Sequence, residues 1–218
     1  MNNVYENNMK FLPFLKFIDK YKKIIIAITA LLILTIAYLV VKNQIEKQNN
    51  EEASIVYSDW LDELSNETPN EDNLNIILDK LLKNYKNTGY TKLALLSKAN
   101  LDANKNKSEE ALKNFNTLID LTSGYGENKI FNKMGRVSAA RILLSEDRYA
   151  EALKMIEVYS SSGTNGYIHE LTGDILIKQN KNDLALVQYE LAANKYLDET
   201  SKSIISMKIA NIGSWYEI

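Results

Sequence analysis

The chain has 218 residues, 45% of them hydrophobic and 25% charged, with a formal net charge of −2; that is room for one or two folded domains with a real core. It holds no cysteine and a single histidine, His169, which excludes disulfides, thiolate metal sites, a cysteine nucleophile, a lipidated-cysteine anchor and a histidine metal cluster. Two prolines and eight glycines are too few for a loop-rich β fold.

Residues 1–23 form a basic N-terminal segment, with Lys10, Lys16, Lys20, Lys22 and Lys23 against Glu6 and Asp19. Its stretch MKFLPFLKFIDKYKK, residues 9–23, is apolar, aromatic and basic at once. It either lies on a membrane surface or serves only as an orienting tail. Residues 24–41, IIIAITALLILTIAYLVV, carry no charge. As a helix they reach about 27 Å, close to the hydrocarbon thickness of a bilayer. No small-residue cleavage site follows, so the run predicts a retained transmembrane helix rather than a signal peptide. Five lysines precede the span, and only Lys42 and Lys47 stand in the twenty residues after it. The positive-inside rule puts the N-terminus in the cytoplasm and the rest of the chain on the outer side. In a bacterium that means an inner-membrane protein with a periplasmic domain. Residues 42–218 hold 21 basic and 26 acidic side chains, a net negative charge that argues against a nucleic-acid partner.

Residues 42–50 read as a juxtamembrane linker or as an extension of the helix. They contain neither proline nor glycine, and the sequence leaves the choice open. Residues 51–218 read as a helical repeat domain. Ala53, Val56, Tyr57, Trp60, Leu61 and Leu64 recur at helical period, and so do Leu74, Ile77, Leu78, Leu81, Leu82 and Tyr85. The break between them, SNETPNED, is centred on Pro69. Three further hairpins follow, at 90–104 with 108–121, 130–145 with 149–160, and 170 to Tyr196. Residues 198–212 read as a closing helix. The fold class is all-α.

The last three hairpins share a spacing. Ala99 precedes Ala111, Ala140 precedes Ala152 and Gly173 precedes Ala185, each by twelve residues. Four residues beyond the second small residue stands a large one: Phe115, Ile156 and Tyr189. The pattern resembles the tetratricopeptide repeat, a helix–turn–helix unit of about 34 residues. That resemblance implies an α-solenoid in which the small pair lets helix A approach helix B. The 51–86 hairpin lacks the pair, and Lys98 and Asp102 stand where apolar residues are common. Gly89, Gly124 and Gly166, each before a tyrosine (Tyr90, Tyr125, Tyr167), are expected to end helices as C′ residues. The alternative reading is a set of ligand-binding tyrosines. Glu51–Glu52 and Glu109–Glu110 are expected at helix starts, where carboxylates favour the dipole.

Nothing in the sequence carries catalysis. It has no phosphate-binding loop, no dinucleotide fingerprint and no zinc-protease motif, and no nucleophile is spaced to use His169. The expectation is a non-enzymatic protein with no cofactor, metal or small-molecule substrate. A carboxylate-binding ladder would need Lys98, Asn100, Arg136 and Arg141 to continue into the third hairpin. There Glu170 and Asp174 stand instead, so the ladder is incomplete.

The order of a basic N-terminus, one span, an acidic helical hairpin and degenerate repeats, together with HELTGDILIKQNKNDLALVQYELAANKY and ISMKIANI, resembles the ancillary SecYEG translocon subunit family (YfgM-type). The resemblance implies protein partners: the Sec translocon and a membrane-anchored periplasmic chaperone for newly exported proteins. A generic periplasmic scaffold in cell-envelope assembly or division shares the same fold and anchor. An inverted, cytoplasm-facing receptor is the third reading. The sequence names no client protein, no partner-contact residue and no oligomeric state.

Overall fold

The computed structural model describes residues 3–124, 126, 129–160 and 166–213, without the side chains of 3–13, 15 and 213. Among them stand nine α-helices, one 3₁₀ turn and no strand. They are α1 (Asn3–Ser65), α2 (Glu71–Asn84), α3 (Gly89–Asn104), α4 (Ser108–Leu121), α5 (Lys129–Ser145), α6 (Tyr149–Ile156), the 3₁₀ turn Glu157–Tyr159, α7 (Gly166–Lys178), α8 (Asn182–Lys195) and α9 (Glu199–Gly213). Contacts divide the chain into two units, Met1–Glu52 and Ala53–Ile218.

The first unit is helical from Asn3 onward, and one stretch of it is long and apolar enough to cross a membrane. Within that stretch Thr29 and Thr35 donate their hydroxyls to the carbonyls of Ile25 and Leu31, both at 2.8 Å. These bonds satisfy both hydroxyls within the helix. Residues 42–50 are helix, not a loop. Ion pairs one turn apart support them, Lys42–Glu46 at 3.5 Å and Lys47–Glu51 at 3.9 Å. Glu51 and Glu52 therefore lie inside a helix. The expectation that they mark a helix start is corrected, because no breaker separates them from the apolar run before. Glu109 and Glu110 do sit in the first turn of α4. The predicted amphipathic segment 9–23 is helical, but the side chains of 9–13 and 15 lie outside the described residues.

In the second unit α3 packs with α4, α5 with α6, and α7 with α8; α4 also packs on α5, α6 on α7, and α8 on α9. The small residues Ala99, Ala111, Ala140, Ala152 and Ala185 are fully buried, and Gly173 is buried with them. Phe115, Ile156 and Tyr189 are buried as well. A Cβ built on Gly173 would lie 2.5 Å from Cε1 and 2.7 Å from Cδ1 of the Tyr189 ring. The missing side chain of Gly173 is thus filled by the aromatic face of Tyr189. Gly135, on α5, plays a similar part between hairpins: a Cβ there would meet Ile119 Cγ1 of α4 at 3.1 Å. The α1–α2 hairpin has no such pair. Its helices approach each other less closely, and Trp60, Leu74, Leu78 and Leu81 fill the space.

The turns inside the three hairpins are copies of one another. Asn106, Asp147 and Asn180 have φ of 58°, 59° and 60°, each seven residues after the small residue of its helix A. The N–H of the next residue reaches back to helix A: Lys107 to Asp102 O at 2.9 Å, Arg148 to Leu143 O at 2.8 Å and Lys181 to Leu176 O at 3.0 Å. This is a Schellman closure, with Asn or Asp in the left-handed position usually held by glycine. The carbonyls of Lys107, Arg148 and Lys181 then accept from the N–H of Ala111, Ala152 and Ala185, each at 3.0 Å. One turn thus fixes where the small residue of helix B falls. The glycine expectation is corrected accordingly. Gly89 and Gly166 open α3 and α7, Gly124 lies in a bend after α4, and none of the three is a left-handed C′ residue.

Gly173→Ala adds only a methyl group, and alanine is the better helix former by about 1 kcal/mol. The collision with Tyr189 outweighs that gain. A net loss of about 1–3 kcal/mol is expected from overpacking, read as a lower urea midpoint of the full chain in detergent. Tyr189→Leu in the same chain should shrink the effect.

Candidate protein-interaction groove

Helices α3 and α5, the A helices of two successive hairpins, border a groove of about 330 Å³. Asn100 and Asn104 line it from α3, Ser138 and Arg141 from α5, and Ala103 and Ile142 supply apolar surface above the buried Phe115. The period of each helix places these residues. Asn100 and Asn104 are one turn apart and exposed, on the opposite side of α3 from buried Ala94, Leu95 and Ala99. Asn100, Asn104 and Arg141 make no side-chain hydrogen bond or ion pair with the described residues. Three polar groups with free bonding capacity therefore face a groove with a partly apolar wall.

The other residues weighed for a carboxylate ladder are not brought together here. Lys98 is buried and pairs with Asp102 Oδ1, while Asn114 Nδ2 donates to Asp102 Oδ2 at 3.0 Å. The two departures from the repeat pattern thus satisfy each other below the surface. Arg136 Nε donates to Asn132 Oδ1 at 3.0 Å, and Asn132 Nδ2 donates to Ile119 O at 3.0 Å. Tyr159 OH also donates to Asn132 Oδ1, at 2.9 Å. That buried amide joins α4, α5 and the 3₁₀ turn. His169 is buried, and its Nδ1 lies 2.9 Å from Gln188 Oε1 on α8, a packing contact. Tyr90 packs on Tyr57 with ring centroids 5.5 Å apart, Tyr167 is exposed, and Tyr125 lies outside the described residues. No group of three metal-ligating side chains occurs among the described residues.

Glu170 and Asp174 serve a different purpose. Lys208 of α9 donates to Glu170 Oε1 at 2.7 Å and to Asp174 Oδ1 and Oδ2 at 2.7 and 2.8 Å. Tyr189 OH donates to Asp174 at 2.8 Å and Tyr196 OH to Glu170 at 2.5 Å. One ammonium therefore ties α9 to α7, next to two phenols of the α8 segment. Burial alone would lower the Lys208 pKa, but the bonds to Asp174 and Glu170 hold it above the ordinary value. Burial, and then the bond to a carboxylate, pushes both tyrosines up. The sequence held a signal for this cluster: two carboxylates one turn apart on α7, with Lys202 and Lys208 on the closing helix. Only the position of α9 shows that they meet.

The profile of the tetratricopeptide repeat-like domain matches residues 16–214. The chain belongs to that family. Among solved structures it is similar to a double mutant of MamA RS-1, at 15% identity and a TM-score of 0.53, over 75% of this chain and 96% of that one. It is also similar to MamA from residue 41 to its end, from Desulfovibrio magneticus RS-1, at 14% identity and a TM-score of 0.50, over 76% and 95%. Identities this low establish a shared fold. No curated protein matches the chain. The tetratricopeptide-like architecture makes the second unit a scaffold for protein interaction.

All three raised groups bind their protons more tightly in the folded chain. Their contribution is whole below pH 10.0 and fades as pH rises past 10.5, the ordinary tyrosine and lysine values. Lys208→Gln should cost about 1–3 kcal/mol at neutral pH, because it leaves two carboxylates without their cation. The gap in urea midpoint between variant and wild type should close as pH is raised above 10.5 and through the higher pKa that Lys208 has in the folded chain.

Proposed function

We propose that the chain is a non-enzymatic, membrane-anchored protein-interaction module, and that the groove between α3 and α5 is where its partner docks. The observation that carries this reading is the set of polar side chains unpaired among the described residues, Asn100, Asn104 and Arg141, beside the partly exposed Ala103 and Ile142. An extended segment needs both kinds of surface: bonds for its main chain and polar groups, and apolar contact for its side chains. Residues 1–23 lie in the cytoplasm, residues 24–41 span the inner membrane, and residues 51–218 form the periplasmic repeat domain. The lysine asymmetry around the span supports that orientation. One span holds the groove beside membrane partners and raises its effective concentration there.

The resemblance to the ancillary translocon subunits supplies the finer reading. The module links the Sec translocon to a membrane-anchored periplasmic chaperone, for proteins that have just crossed the membrane. Co-purification from gently solubilised membranes is expected to carry both partners. Arg141→Glu, which reverses the groove's cation without touching the core, should reduce recovery of one of them at least fivefold. Recovery of a division or envelope-assembly complex in place of the translocon would support the scaffold reading instead. Protease added outside intact spheroplasts should degrade residues 51–218; a protected domain would invert the topology.

A further inference from the structure

The two ends of the hairpin stack are finished differently. At the C-terminal end α9 covers α8, with Ile205 and Ile212 buried and Ile209 packed beside them. At the other end the α1–α2 hairpin has α3 on one side. Between α1 and α2 runs a groove of about 370 Å³, lined by Asp59, Asp62 and Glu63 of α1 and by Asn73, Ile76 and Ile77 of α2. Ile76 is 65% exposed. Ile55, which the helical period places in line with Asp59 and Asp62, is 67% exposed. The apolar surface that α9 buries at one end has a counterpart at the other end that remains open.

Charge says what fits there. Residues 53–84 carry seven carboxylates and two lysines, whereas residues 85–218 carry 17 basic and 16 acidic side chains. The negative charge of the repeat unit therefore lies on this hairpin. Glu63 is fixed in place: its carboxylate accepts the Asn70 N–H at 2.7 Å and Asn73 Nδ2 at 3.2 Å. An anionic lipid surface or a nucleic acid would be repelled by such a face. The chain itself shows which chemistry joins hairpins. Glu71 pairs with Lys105 at 2.7 Å and with Lys107, and Glu109 pairs with Arg148 at 2.9 Å. In each case the carboxylate stands on one hairpin and the cation on the next.

We infer that the α1–α2 groove is a second docking surface, built for a basic amphipathic helix of a partner protein, which lays its apolar side on Ile76 and its lysines or arginines against Asp59 and Asp62. The site is separate from the α3–α5 groove, and either can fail without the other.

The test uses the full chain in phosphatidylcholine nanodiscs and a synthetic 18-residue leucine–lysine amphipathic helix, with its leucine–glutamate counterpart as comparison. Binding is followed by fluorescence anisotropy, and the signal of empty nanodiscs is subtracted. The lysine helix should bind, weaken with added salt, and lose at least tenfold in affinity on Asp59→Lys/Asp62→Lys and at least fivefold on Ile76→Ser. Arg141→Glu, in the other groove, should leave it unchanged. Equal affinity for the wild type and both groove variants, or equal binding of the glutamate helix, overturns the inference. So does self-association of the chain that Ile76→Ser abolishes, since the groove's occupant would then be a second copy.

Discussion

Two helices joined by a short turn can pack closely only where a side chain is small enough to let the backbones meet. Ala99, Ala140 and Gly173 satisfy that condition in the three hairpins, and the rest of the unit is arranged around it. The left-handed residues Asn106, Asp147 and Asn180 reverse the chain at a fixed distance from those positions. The carbonyl after each one then sets the start of helix B, so Ala111, Ala152 and Ala185 arrive at the same height. A slip of one residue on helix B would carry Glu110 or Leu112, Glu151 or Leu153, and Leu184 or Leu186 into the contact, each larger than alanine. Packing and turn chemistry thus enforce one register, which lets degenerate sequences keep one shape.

Polar residues in the interior follow the same logic of completion. Lys98 and Asp102 break the apolar pattern of helix A, yet they pair with each other and with Asn114. A buried ion pair of this kind is weak evidence for stability, but removing one partner alone strands a charge. Asn132 and the Lys208 cluster join elements that apolar contact alone would leave less specifically placed. The ion pairs between hairpins, Glu71 with Lys105 and Lys107 and Glu109 with Arg148, are partly exposed, and solvent screening limits their energy. They act at the edge of each joint, where geometry rather than affinity is at stake.

The proposed docking surfaces lie where the packing leaves something unfinished. Among the described residues, Asn100, Asn104 and Arg141 of the α3–α5 groove make no side-chain hydrogen bond or ion pair. In the α1–α2 groove Ile76 is exposed, and Asp59, Asp62 and Glu63 pair with no cation of the described residues. The shifted groups Tyr189, Tyr196 and Lys208 are engaged in holding α7, the α8 segment and α9 together. A helix long and apolar enough to cross a membrane, in the same chain as a scaffold for protein interaction, is compatible with the tethered adaptor proposed above.

The sequence by itself determined the helices, their pairing in hairpins and the apolar span, because these follow from local period and composition. Spacing alone marks Ala99–Ala111, Ala140–Ala152 and Gly173–Ala185. The left-handed turns are legible too, since Asn106, Asp147 and Asn180 recur at the repeat distances of 41 and 33 residues, although glycine is the commoner residue at such positions. What only the tertiary structure decided are the meetings between residues far apart in the chain. Tyr189 fills the space left by Gly173, Lys208 finds Glu170 and Asp174, and Asn100 comes to share a groove with Arg141. Which side chain meets which depends on how the hairpins stack, and stacking depends on the whole shape of both faces, which no local pattern encodes.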